Sequence, residues 1–133
     1  MPFRRSAERR KNMALPDAGD VNWVEFGDTR GTEQSGRRPA LVLTSREFHE
    51  QSPRSIVCPI TSKRHDWPTN VLLPEDLKVK GAVLVDQVRA IDRAERMFGT
   101  IDKVPAEIVQ AVRTKLAALL AIDAVVPRLS DDL

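Results

Sequence analysis

Only one stretch of this 133-residue chain repeats its apolar residues at helical spacing over several turns, and it lies near the end. Ile108, Val112, Leu116, Leu119 and Leu120 form that stripe within Pro105 to Ile122. Pro105 suits the first turn of a helix, and Glu107 suits its positive end. Everything before it is cut by glycines, prolines and polar clusters into short apolar runs, which read as strands. They are Asp20 to Phe26, Ala40 to Thr44, Ser55 to Ser62, Asn70 to Leu73, Ala82 to Ile91 and Met97 to Ile101. In the first, alternation places Val21 and Trp23 on one face. Pro59 interrupts the third, which predicts a bulge or an unpaired edge there. Ser45 is placed to cap a short helical turn over Ser45 to Glu50. Closely spaced strands with one terminal helix imply a mainly β fold, a small SH3-like antiparallel β-barrel with a C-terminal helix.

Of 21 basic and 19 acidic side chains, five and one fall in the first twelve residues, a net +4. The remaining 121 residues hold 16 and 18, a net −2, so the basic pI near 9.0 belongs to the leader. Bulk charge therefore carries no nucleic-acid argument, and only local clusters can. Residues 1–18 are expected to form a disordered basic leader, 19–122 a single domain, and 123–133 a C-terminal tail. The leader lacks the apolar core of a signal peptide, and no run approaches the roughly 18 apolar residues of a membrane span, so a cytoplasmic location without membrane contact is expected. The single cysteine, Cys58, cannot form an intrachain disulfide, and in the run Ser55 to Ile60 it reads as a small buried hydrophobe.

Polar chemistry gathers at three places near strand ends. Thr32, Glu33 and Gln34 precede Arg37 and Arg38 in a glycine-punctuated loop. Thr61, Ser62, Lys63, Arg64 and His65 follow the third strand. Asp86, Gln87 and Arg89 sit within an otherwise apolar run, where polar groups must be hydrogen-bonded or cost stability. An arginine held where loop meets strand suits an anionic ligand, since the guanidinium is a forked donor.

Taken together, these stretches resemble the MazF/PemK (Kid) family of toxin endoribonucleases from bacterial toxin–antitoxin pairs. The similarity runs through Gly19 to Val24, Gly31 to Leu43, Val57 to Ser62 and Gly81 to Ile91, and reaches about Ile122. The resemblance implies metal-independent, cofactor-free cleavage of single-stranded RNA at short motifs, by attack of the 2′-hydroxyl on the adjacent phosphorus. The products would be a 2′,3′-cyclic phosphate and a 5′-hydroxyl. It assigns Arg38 and Thr61 to catalysis, and Thr32, Glu33, Gln34, Arg37, Ser62, Lys63, Arg64, Asp86, Gln87 and Arg89 to the RNA groove. It also implies a homodimer and a cognate MazE-like antitoxin whose acidic segment covers the groove, in a complex that binds operator DNA.

A guanidinium donates and does not accept, so Arg38 is assigned charge stabilisation and proton donation. The base stays open between Glu33, Asp86 and solvent. Kid-type members carry a histidine beside the Glu-Gln pair and an arginine two residues before the Asp of Asp-Gln. Here Thr32 and Leu84 occupy those positions, which sides with the MazF-type variants. His49 and His65 read as surface residues. Two alternatives share this pattern of elements: a CcdB-like gyrase poison, and a non-catalytic RNA-binding barrel. The first needs a tryptophan at the end of the last helix, which reads Ala121-Ile122-Asp123. The second needs stacking platforms, and the chain holds two tryptophans, four phenylalanines and no tyrosine.

Overall fold

The computed structural model describes residues 14–28 and 30–123. Residues 1–13 of the expected leader and 124–133 of the tail lie outside that range. Residues 15–17 are fastened to the domain. Arg46 Nε donates to the Leu15 carbonyl, and the Asp17 carboxylate accepts the Ala18 and Arg46 N–H groups at 2.9 and 3.0 Å.

Seven strands form the body: β1 (Asp20–Glu25), β2 (Arg37–Val42), β3 (Arg54–Thr61), β4 (Asn70–Leu72), β5 (Ala82–Leu84), β6 (Arg89–Asp92) and β7 (Met97–Lys103). Three helices interrupt or end the run: α1 (Arg46–Gln51), α2 (Arg93–Arg96) and α3 (Ala106–Leu119). The strand order is β4-β5-β3-β2-β1-β7, all recorded pairings are antiparallel, and β6 lies against β3. The mainly β architecture with a terminal helix is the one expected. Among the described residues no helix is long and apolar enough to cross a membrane.

The central strands are buried on both faces. Val21, Leu41, Cys58, Ile60 and Val83 meet Val109 and Val112 of α3 on one side. Val24, Phe26, Ala40, Val42, Val57 and Ile91 close the other. Removing a Val, Leu, Ile or Phe side chain from water contributes about 1.5–3 kcal/mol, so both faces hold the sheet. Two-sided burial explains why inside–outside alternation is weak in the sequence. It also corrects β1: Val21 is buried, but Trp23, beside Pro39, stays 41% exposed, while Val24 and Phe26 fill the opposite face. Register shifts between β1 and β7 around Asn22 mark a bulge, and the buried Asn22 amide donates across it to the Phe98 carbonyl and the Thr100 hydroxyl.

β3 changes partners along its outer edge. It pairs with β6 from Arg54 to Val57 and with β5 at Ile60 and Thr61. Cys58 and Pro59 fall in the gap, so the residue without an N–H sits where one side of the ladder is interrupted. The run Ala82 to Ile91 breaks at the matching place. It is not one strand but β5, a 3₁₀ turn over Val85–Gln87, and β6.

Ser45 caps α1 as expected, accepting the Phe48 N–H. The long helix is shorter than its stripe predicted. Val109 and Val112 are its buried residues, whereas Leu119 and Leu120 are exposed, because the helix runs past the sheet before it ends.

Candidate active site

The β2–β3 register advances one residue per pair through Val42↔Val57, Leu41↔Cys58 and Ala40↔Pro59. The pairing ends there; continued for two residues more, the same register sets Arg38 against Thr61, on the face of Ala40 by the period of two. Arg38 is therefore part of β2, paired with Val24 of β1, and not a loop residue at the strand's mouth. Its Nε donates to the Ser35 carbonyl at 2.9 Å. That bond fixes the plane of the guanidinium and leaves both terminal nitrogens without a protein partner among the described residues. The Thr61 hydroxyl oxygen accepts the Lys63 N–H at 3.3 Å, so its hydrogen is free to donate elsewhere.

Gly81 holds Thr61 in place from the neighbouring turn. Its φ is +116°, and a Cβ there would lie 1.7 Å from the Thr61 carbonyl oxygen. Only glycine allows the two backbones to approach so closely.

The first and third polar places meet through Gln87. Its Oε1 accepts the Gln34 N–H at 2.8 Å and its Nε2 reaches the Thr32 carbonyl at 3.4 Å, which ties the β1–β2 loop to the 3₁₀ turn. The Gln34 side-chain oxygen is buried with no partner among the described residues. Arg89 is paired with Val57 and thus shares the Arg38 face; its guanidinium lies 5.5 Å from the Phe26 ring centre and donates to the Phe26 carbonyl. Asp86 stands exposed at the turn.

Not every expected residue joins this group. Arg37 points to the opposite face from Arg38, and its guanidinium stacks 4.0 Å over the Phe98 ring of β7. Ser62 and Lys63 are exposed beyond the end of β3, and Arg64 donates to the Leu73 carbonyl at 2.6 Å. Glu33 is exposed in the loop. Phe26, Ser35 and Gly81 support the site without being legible as parts of it in the sequence. Their roles depend on pairings that local sequence does not display. Among the described residues no group of three or more His, Cys, Asp or Glu could hold a metal ion.

The titratable groups that do depart from ordinary values lie away from this face. His49, expected at the surface, is 3% exposed. Its Nδ1 donates to the Pro16 carbonyl at 2.7 Å, while Nε2 faces the Thr44 and Ser55 hydroxyls at 2.7 and 2.8 Å. Burial holds its pKa below the ordinary histidine value, and the Arg93 charge lowers it further. Burial pushes the Cys58 thiol up to about 12, so it is an inert core residue as expected.

Fold and face together define a class first: a small mainly β barrel that presents hydrogen-bond donors to an anion beside a loop tied down by an amide. Residues 17–120 match the family described as PemK-like, MazF-like toxin of type II toxin–antitoxin system. The endoribonuclease toxin MazF of Escherichia coli K12 is 34% identical over 108 residues, covering 80% of this chain and 95% of that one. The crystal structure of MazF from Deinococcus radiodurans superposes with a TM-score of 0.76 at 39% identity, over 81% of this chain and 98% of that one. MazF in a MazE–MazF complex from the same organism gives 0.70 at 37%, over 82% and 98%. The chain belongs to the PemK-like, MazF-like toxin family.

Proposed function

We propose that this chain is a toxin endoribonuclease that cuts single-stranded RNA at short motifs without a metal ion. The observation that carries the reading is the Arg38–Thr61 pair: a charged fork with two uncommitted nitrogens, opposite a hydroxyl free to donate. Such donors, fixed before the ligand arrives, stabilise negative charge developing on phosphoryl oxygens. In the reaction the 2′-oxygen bonds to phosphorus as the bond to the 5′-oxygen breaks. The 2′-hydroxyl loses a proton and the departing 5′-oxygen gains one, leaving a cyclic phosphate and a 5′-hydroxyl. Thr32, Gln34, Gln87 and Arg89 are assigned to the RNA groove beside that pair.

The MazE–MazF complexes among the similar structures support a partner of the same kind for this chain. We take that partner to be an antitoxin with an acidic segment that competes with RNA for the exposed arginines and lysines, and we take the toxin to act as a two-fold homodimer.

Purified protein incubated with total mRNA in excess EDTA is expected to produce new 5′ ends that recur at one short motif. A substrate with 2′-deoxyribose at the cut position is expected to resist. Cleavage of that substrate, or cleavage lost with EDTA and restored by a metal, would overturn the reading.

A further inference from the structure

The loop between β3 and β4 carries a tryptophan that packs against little of its own protein. Trp67 is 63% exposed, the highest exposure among the large apolar side chains described. Burying that ring would be favourable, so an exposed one on an ordered loop needs a reason.

The loop around it is held in shape. The Asn70 side chain, itself buried, donates to the His65 carbonyl at 3.0 Å, and the Asn70 N–H donates to the Trp67 carbonyl at 2.9 Å. Arg64 is fastened to the Leu73 carbonyl and the Lys63 N–H to the Thr61 hydroxyl oxygen. Five residues separate Trp67 from Thr61. On the other side, the Thr69 carbonyl accepts the Val85 N–H at 3.1 Å, which sets this loop alongside the 3₁₀ turn that carries Gln87. The loop charges Lys63 and Arg64 outnumber Asp66. A rigid aromatic surface beside positive charge, next to a phosphate-binding face, fits a nucleobase stacked while its backbone is held by cations.

We propose that Trp67 is a specificity-determining residue: it stacks one unpaired base of the RNA beside the scissile phosphate. The assignment rests on the endoribonuclease reading above. Trp23 and Phe48 are also partly exposed, but Trp23 lies on β1 beside Pro39 and Phe48 on α1, neither on the loop that leads out of Thr61.

The probe is an oligoribonucleotide carrying the mapped cleavage motif, with 2′-deoxyribose at the cut position. In a Trp23→Phe background it should quench tryptophan fluorescence on binding. Trp67→Ala should weaken binding about 5- to 150-fold, raise KM and leave kcat nearly unchanged, with Trp67→Phe recovering most of the loss. An unchanged melting temperature keeps the comparison free of folding effects. Replacing one base at a time by an abasic sugar supplies the decisive measurement: at one fixed position the loss should be large for wild type and absent for Trp67→Ala. Equal losses in both proteins at every position would overturn the assignment, as would normal RNA binding by Trp67→Ala with weakened binding of an antitoxin peptide. Either result leaves wild-type cleavage intact and the proposed function standing; a wild type that neither binds nor cuts RNA removes both.

Discussion

At the scale of single residues, the proposed mechanism rests on Arg38. Its side chain is fixed by one bond to a carbonyl and is not part of either core, so Arg38→Ala should fold normally by circular dichroism. Its cleavage rate should fall about 100- to 1,000-fold or more, the usual effect of losing a donor aimed at transition-state charge. Arg38→Lys should recover little, because a point charge cannot bond Ser35 and two phosphate oxygens together. The arginine and the threonine were both legible as motifs. Their opposition was not, because it follows from a register set by the whole sheet. His49 was misread for a related reason. A lone histidine on a short polar helix gives no sign that Pro16, Thr44 and Ser55 will enclose it. Its burial makes a prediction about pH. The unfolded chain binds a proton near 6.5, whereas folded His49 resists one until a lower pH. Between those values the unfolded state holds more protons, so stability should fall as pH drops through about 6.5 and level off below the folded pKa. Thermal melts from pH 8 to 5 should show this slope, and His49→Gln should flatten it.

Among the elements, Gly81 and Arg93 are the joints to test. Gly81→Ala would force a Cβ into the Thr61 carbonyl at a positive φ, and should cost about 2–4 kcal/mol of stability. Any folded fraction should also cleave slowly, since Thr61 must shift to make room; titrating stability in urea beside single-turnover rates separates the two losses. Arg93, at the start of α2, donates to the carbonyls of His49, Ser52 and Arg54, joining α1 to the start of β3. Burial lowers its pKa, and several carbonyls lose their partner if it is removed. Arg93→Ala should therefore lower the urea midpoint by an amount equivalent to about 2–4 kcal/mol, with Arg93→Lys restoring only part. Strand positions, the Ser45 cap and the long helix were readable from period and punctuation. The break at Val85–Gln87 was not, because an apolar run looks the same whether it pairs throughout or changes partner midway. Pro59 was the one local sign of that change, and it lay on the opposite strand.

Seen as a whole molecule, the sheet divides labour between its faces. One packs on α3 and carries most of the core; the other is capped by a smaller cluster whose rim holds Arg38, Thr61 and Arg89. A site at the edge of a small core gains rigidity from β2 and β3 while staying open to a long, flexible substrate. Among the described residues on this face, the positive charges are those of Arg38 and Arg89. Binding of the uncleavable oligonucleotide should weaken with salt, and Arg38→Ala or Arg89→Ala should each reduce that slope by about one.

The pairing of β1 with β7 has a consequence for the ribosome. Strand β1 is made before the other described strands and waits for β7, whose last residue is Lys103, to cover its second edge. At translation rates of roughly 5–20 residues per second, that wait lasts several seconds, plus the time for the segment to clear the exit tunnel. Until then β2, with Arg38 on it, has a neighbour whose other side is bare, and the chain emerging from the ribosome is a poison not yet assembled. Synthesis arrested before β7 should yield a nascent chain that proteases digest and that cuts no RNA. Release of a chain extended past Lys103 and α3 should restore both resistance and cleavage, so the last strand to be made acts as the timer of toxicity.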